Sequence, residues 1–458
     1  MLRKWQAECI DLALKKYESG SNHFFCQATP GAGKSIMSAS LAKALLDNGM
    51  IDLILCFSPS VSVADGMRTT FSITINCPFN GSLGSIGQSL TYQSIQYLGD
   101  DFWRTIEKYR VLVVFDEIHH CSGDEPERAN IWGQQILARI QGVATYTLAL
   151  SGTPWRSDKL PIVLAEYSDP EGKLFCDYQY GLAQAILDNV CRKPKIVLVD
   201  NEHLTISEGS EKKSFASILE LLKQSKTSYQ DVIHNTQAME HILGLGCQKL
   251  SEIRKESFNA GGLVVTSSVK HAKQVQKILT EKFGQSTTLV TYHHDDPQSE
   301  IKAYKNGLTQ WIVSVGMISE GTDIPRLQVC CHISSIKTEL HFRQVLGRVL
   351  RVNDSPNQQA WLYTFAEQNL IEYAERIEHD IPETCLFAKF GKEEFSPEFP
   401  ETNQCGENEP VISQKIKKYS QLQWGVQPKH SNSGSGSDDI FDEIWLGQFR
   451  ERVVSAFL

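Results

Sequence analysis

The octapeptide Ala28-Thr-Pro-Gly-Ala-Gly-Lys-Ser35 decides the fold. It follows a short apolar run, His23–Ala28, and opens a helical pattern over Ser35–Leu46. A glycine-rich turn between strand and helix lets backbone N–H groups curl around phosphate oxygens, and the helix N-terminus adds its positive end. Thr29, Pro30, Gly31, Ala32 and Gly33 would form the cradle. Lys34 would neutralise charge on the β/γ-phosphates, and Ser35 would ligate Mg²⁺. The strict pattern begins with Gly, and Ala28 stands in that place.

Moving outward, Leu112–Phe115 runs straight into Asp116-Glu117-Ile118-His119. A buried strand ending in Asp can hold Mg²⁺ beside such a loop. The next acid, Glu117, can then orient and deprotonate an attacking water. Further apolar runs at Ile51–Phe57 and Tyr146–Leu150 alternate with helical patterns, which argues for a parallel sheet with crossover helices. A second set follows at Gly262–Thr266, Thr288–Tyr292, Trp311–Val315, Val329–Ile333 and Trp361–Thr364, with a helix expected over Val269–Phe283. The simplest architecture is two α/β units in one chain. Between their strands, residues 201–260 are polar and helix-prone, with helices expected over Ser214–Gln224 and Thr236–Arg254.

Composition excludes several classes. With 458 residues, 41% of them hydrophobic and 22% charged, the chain can bury sizeable cores and is neither disordered nor fibrous. No apolar run is long enough to span a membrane, and residues 1–20 hold no apolar segment of signal-peptide type. Twelve cysteines without a CxxC fit buried thiols better than a disulfide framework or a zinc site. A cytoplasmic protein is expected. The net charge of −9 is concentrated at the end: residues 379–458 hold 8 basic and 13 acidic side chains. Any nucleic-acid contact must therefore use a local groove.

In order along the chain, these motifs resemble those of superfamily 2 helicases and translocases of the DExH type, especially the branch containing type III restriction motor subunits. The resemblance covers residues 1–378. Leu2-Arg3-Lys4-Trp5-Gln6 is similar to the entry motif, in which the family uses the glutamine, here Gln6, to read adenine. Ala28–Ser35 and Asp116–His119 are similar to motifs I and II. Ser58-Pro59-Ser60 sits where motif Ia would lie, and Thr91-Tyr92-Gln93-Ser94 resembles a polymer-contacting segment. Ser151-Gly152-Thr153-Pro154 resembles motif III, which couples the nucleotide site to strand movement. In the second half, Val264-Val265-Thr266-Ser267 resembles motif IV and Glu320-Gly321-Thr322-Asp323-Ile324-Pro325 resembles motif V. Gln344-Val-Leu-Gly347-Arg348-Val-Leu-Arg351 resembles motif VI, whose spacing puts two guanidiniums on one side of a helical turn. The chain departs from the family pattern at Lys4, where Pro is frequent, and at Gly152, where Ala is common.

The resemblance implies two tandem RecA-like parallel-sheet domains, at 1–196 and 197–378, with the helical insert at about 201–260. An acidic C-terminal extension, 379–458, would follow. It implies ATP and Mg²⁺, with Ser35 and Asp116 on the metal and Gly321 and Asp323 at the nucleotide. Lys34, Asp116, Glu117, Gln344, Arg348 and Arg351 would carry hydrolysis. His119, Ser151 and Thr153 would couple it to movement, and Thr91, Thr266 and Thr322 would touch nucleic acid, DNA more readily than RNA. The implied function is a nucleic-acid-dependent ATPase that moves on its polymer. Its alternatives are a motor or switch subunit of a defence, restriction or repair complex, and an RNA helicase. In the extension, Ser431–Asp439 reads as a flexible linker. Beyond it, Ile440, Ile444, Trp445, Phe449, Val453 and Phe457 recur at helical spacing. That pattern predicts a terminal helix, either folded back on the second unit or on the 379–425 segment, or docking a partner protein. His293-His294-Asp295-Asp296 is expected to be an acidic turn before a helix and not a metal site.

Overall fold

The computed structural model describes residues 2–123, 129–156, 158, 160–169, 172–208, 211–291, 296–316, 323–377, 421–424, 443–446 and 449–455. The first lobe is built on a six-stranded sheet. Its spatial order is Gly87–Thr91, Leu53–Ser58, Val111–Asp116, Tyr146–Ser151, His23–Ala28 and Tyr178–Tyr180, and every pairing is parallel. Alternation within the apolar runs explains how both faces are covered. Phe24, Cys26, Ile54, Cys56, Leu112, Val114, Leu148 and Leu150 enter one core. Phe25, Leu55, Phe57, Val113, Phe115 and Ala149 enter the other. A strand buried on both faces reads as a continuous apolar run, which is why these segments show little polar alternation. The loops after Ala28 and after Asp116 leave the two parallel strands that flank Tyr146–Ser151, at their C-terminal ends, the edge where such sheets bind ligands.

The second lobe carries a seven-stranded sheet, ordered Thr287–Val290, Trp311–Ser314, Gly261–Thr266, Leu327–Ile333, Gln359–Phe365, Lys193–Asn201 and Phe449–Ser455. Its pairings are parallel except the last. The strand Lys193–Asn201 straddles the expected boundary at 196/197 and pairs along Gln359–Phe365, so the second lobe begins at Lys193. Two α/β lobes with parallel-sheet cores match the tandem arrangement expected.

The insert is less helical than its composition suggests. It opens with an antiparallel hairpin, Leu204–Glu208 and Glu211–Phe215. The first helix therefore starts at Ile218 instead of Ser214, with Ser217 accepting from the Glu220 N–H as its cap. A short helix, Tyr229–His234, precedes the long one, Thr236–Arg254. That helix lies so close to the sheet that a Cβ on Gly246 would come within 2.7 Å of the Cys331 sulfur.

The expected C-terminal helix is a pair of strands. Glu443–Leu446 joins the hairpin in a four-stranded sheet with Gln421–Trp424. Phe449–Ser455 closes the edge of the large sheet against Lys193–Asn201. The physical reason is the open edge: a strand with unpaired N–H and C=O groups gives a β-branched segment a full ladder, which an isolated helix cannot match. Phe449 stacks on His241 with centroids 3.8 Å apart, and Arg450 pairs with Asp200 at 2.7 Å. The tail thus folds back on its own lobe. The linker 431–439 and the other extension residues lie outside the described residues. Asp296 caps the helix Pro297–Asn306, while residues 293–295 also lie outside them.

Candidate nucleotide site between the lobes

Gly31 and Gly33 hold φ of +85° and +97°, conformations that glycine adopts at no steric cost. They bend the chain so that Lys34 begins the helix Lys34–Asp47. The Lys34 ammonium is nearly buried. It sits 3.0 Å from the Glu117 carboxylate and donates to the Ala28 carbonyl at 3.2 Å. Glu117 follows the strand Val111–Asp116 with φ +51°, a left-handed conformation unusual for a side-chain-bearing residue. This turn aims its carboxylate back at Lys34 and lets it accept from the Gly152 N–H at 3.2 Å.

The two acids differ electrostatically. Burial lifts Asp116 above the ordinary carboxylate range, and the neighbouring Glu117 charge adds to the rise. Burial would lift Glu117 too, but the Lys34 ammonium, His119 and the Gly152 N–H outweigh it and hold Glu117 low. His119 is buried with Nδ1 2.9 Å from the Ser151 hydroxyl and 3.5 Å from the Glu117 carboxylate. Thr153 donates its N–H to the same hydroxyl at 3.2 Å. Phosphate loop, acidic pair and the Ser151–Thr153 turn thus form one connected cluster.

The second lobe reaches this cluster directly. A Cβ on Gly31 would lie 3.1 Å from the Arg351 side chain, and one on Gly347 would lie 2.8 Å from Pro30. Arg351 pairs with Asp323 at 2.8 Å. Gln344 and Arg348 lie nearly buried in the helix Glu339–Val349. A cavity between the lobes is lined by Thr29, Pro30, Gly152, Thr153, Arg343 and Gly347.

Two expected site residues, Gln6 and Thr266, are engaged inside the protein. Gln6 is 2% exposed, with both polar ends used inside the protein. Its amide donates to the Gly33 carbonyl at 2.9 Å and its oxygen accepts from the Arg3 N–H at 2.8 Å. It braces the loop. Thr266 is 2% exposed and donates its hydroxyl to the Ser314 carbonyl at 3.1 Å, tying two strands together. It offers no surface to a polymer. Trp155 is buried and takes the Arg343 guanidinium 5.4 Å over its ring, and Arg156 donates to the His119 carbonyl at 2.6 Å. Both pack the site. Thr91 is half-buried at the end of its strand. Gly321 and Thr322 lie outside the described residues.

Sequence reasoning missed Arg3, which donates to the Ala32 carbonyl at 2.6 Å and braces the loop from outside. Its position three residues before Gln6, at the N-cap of the first helix, was the available signal. The Lys34–Glu117 pair was also missed, because it depends on the left-handed turn at Glu117.

Strand, loop and helix around Lys34, with arginines facing them from a second parallel-sheet lobe, define a two-lobed P-loop nucleoside-triphosphate-binding protein. Residues 1–156 match the family described as Type III restriction enzyme, res subunit, and residues 246–353 match the Helicase conserved C-terminal domain. The chain thus carries both helicase domains of superfamily 2, the ATP-binding pair expected from its motifs. An uncharacterised protein of Mycobacterium leprae is 28% identical over 393 residues, covering 82% of this chain and 64% of that protein. The chain therefore spans a little under two thirds of that relative's length. A DNA 3'-5' translocase of Sulfurisphaera tokodaii is 24% identical over 398 residues, covering 77% and 79% of the two chains. The fold is shared with a fragment of a putative HsdR subunit of a type I restriction enzyme from Vibrio vulnificus. There the TM-score is 0.55 and the identity 15%, over 83% of this chain and 67% of the other. Among the described residues no helix is long and apolar enough to cross a membrane.

Proposed function

We propose that this chain is an ATP-driven motor that moves along DNA, with hydrolysis gated by the fit of its two lobes. The observation that carries the reading is the approach of Arg351, from the second lobe, to Gly31 of the phosphate loop in the first. Charge that builds on the γ-phosphoryl group during transfer would then be met by guanidiniums only when the lobes close.

The residues have separable tasks. Lys34 now rests against Glu117, and an incoming triphosphate would compete for its ammonium. Its transfer to the phosphates would release Glu117 to orient the attacking water and accept its proton. Backbone amides from Gly31 to Ser35 would hold the phosphates. Hard oxygen donors at Ser35 and the buried Asp116 suit Mg²⁺, and burial of the Asp116 carboxyl leaves a site that a cation would stabilise. When bound, Mg²⁺ supplies a positive charge that neutralises the phosphate oxygens. The His119–Ser151 hydrogen bond would report the state of the acidic pair to the Ser151–Thr153 turn. Arg348 and Arg351 would act from across the cleft. Thr91 and Thr322 remain the proposed contacts to the polymer.

DNA is favoured over RNA by the similarity to the DNA 3'-5' translocase of Sulfurisphaera tokodaii. The test is the ATP turnover rate with no polymer, single-stranded DNA, duplex DNA and RNA. Stimulation by DNA is the expected result. Stimulation by RNA alone would reassign the track, and no stimulation by any polymer would overturn the motor reading.

A further inference from the structure

Between the lobes the chain passes through Cys191-Arg192, and the side chain of Arg192 is 1% exposed. Each of its guanidinium nitrogens is engaged. Nε donates to the Gln358 side-chain oxygen at 3.0 Å. Nη1 donates to the carbonyls of Leu327 and Val349 at 2.7 and 3.2 Å. Nη2 donates to the Pro325 carbonyl at 3.1 Å and to the Asn353 side chain at 2.8 Å. Every one of these acceptors is neutral. Burial accordingly lowers the Arg192 pKa to about 10. A buried guanidinium with no carboxylate among these acceptors is costly and persists only where its hydrogen bonds are complete.

Its partners share one property: they surround the segment that bears Arg348 and Arg351. Pro325 and Leu327 flank the start of the strand Leu327–Ile333, just after Asp323, which pairs with Arg351. Val349 ends the helix Glu339–Val349, and terminal carbonyls of a helix attract cations. Asn353 and Gln358 belong to the turn that follows. The backbone repeats the link. The Arg192 N–H donates to the Leu350 carbonyl at 2.7 Å, and Cys191 forms an antiparallel bridge with Arg351. The Cys191 thiol also lies 3.7 Å from the Pro30 carbonyl of the phosphate loop.

We infer that Arg192 is the positioning residue for Arg351, fixing the finger-bearing segment to the interlobe linker so that movement of the linker carries the guanidinium onto or off the phosphate loop. This rests on the proposed function, since Arg351 must act in hydrolysis for its placement to matter. Lysine at 192 would keep the charge but could not span acceptors arranged around a planar fork. Arg351 would then be held loosely, and misplacement of a catalytic group by about 1 Å costs about 10²-fold in rate.

The test compares ATP affinity, by equilibrium binding, and single-turnover hydrolysis in wild type, Arg192→Lys, Arg351→Ala and the double variant. The expected result is unchanged affinity with a rate lowered about 10²-fold in Arg192→Lys. The double variant should be no slower than Arg351→Ala alone, because one residue acts through the other. A purely structural role would lower the folded fraction and leave the rate per folded molecule intact. Should Arg192→Lys fail to fold, Gln358→Met removes one acceptor and must show a smaller rate loss with the same non-additivity. A normal rate in the folded variant, or losses that add to that of Arg351→Ala, would overturn the inference. A wild-type rate in Arg351→Ala would overturn the functional reading beneath it, and this inference with it. A slow Arg351→Ala beside a normal Arg192→Lys would overturn the role of Arg192 only.

Discussion

Glu117 is pulled two ways by its surroundings: burial favours its neutral form, and the Lys34 ammonium at 3.0 Å favours its charge. The ammonium prevails and holds the carboxylate charged; in the proposed mechanism it would take a proton once Lys34 turned to a phosphate. Glu117→Gln keeps the shape and removes the base. It is expected to bind ATP while hydrolysis falls by about 10²–10⁴-fold, the usual contribution of a positioned acid or base. Hydrolysis at the wild-type rate, read in single-turnover mixing, would remove Glu117 from the chemistry. Lys34→Ala is expected to end turnover with the far-UV circular dichroism unchanged. Normal turnover would displace the site from this loop. The residue types at these positions were legible in the sequence, because a phosphate loop and a strand-terminal acid pair each need particular side chains. The Lys34–Glu117 contact and the inward turn of Gln6 were not, since both depend on backbone angles that many residues can adopt.

Among the elements, the C-terminal strand Phe449–Ser455 has the largest consequence. It pairs with Lys193–Asn201 over its whole length and adds the ion pairs Arg450–Asp200 and Arg452–Glu375, each 2.7 Å. Removing residues 440–458 would leave an open, largely apolar edge on the second lobe. The shortened chain is expected to melt at lower temperature and to self-associate, as scattering and differential scanning fluorimetry would show. A truncated chain that stays monomeric with an unchanged midpoint would contradict the fold-back. The segment misled the sequence reading because Ile444, Phe449 and Val453 satisfy a helical spacing by chance, and the deciding partner lies some 250 positions earlier. Elements with local causes fared better. The long insert helix runs over Thr236–Arg254 as its periodicity predicts, with Asn235 accepting from the Ala238 N–H as its cap.

At the scale of the whole molecule, acid should loosen the fold. Burial lowers His23 to about 4, with Lys16 adding to the effect. It lowers His271 and His332 to about 3, each with help from a second histidine, His234 and His341. An unfolded histidine titrates near 6.5, so below that pH the unfolded chain binds more protons than the folded one. Stability from these groups is complete above pH 6.5 and falls as pH drops towards 4. Each contributes up to about 1.4 kcal/mol per pH unit. Asp116, raised by burial, works in the opposite direction but is one group against three. The thermal midpoint is expected to hold between pH 7 and 8 and to fall between pH 6.5 and 5. A constant midpoint down to pH 5 would show that these imidazoles are solvated.

The union of the lobes at the phosphate loop is tested most directly by Arg351→Ala at saturating DNA, with ATP affinity and hydrolysis rate measured on the same preparation. The account predicts that affinity is retained while the rate per bound ATP falls by about 10³-fold or more, as for a lost arginine finger. Lost affinity with a normal rate per bound ATP would contradict it, because Arg351 would then hold the nucleotide without acting on its reaction.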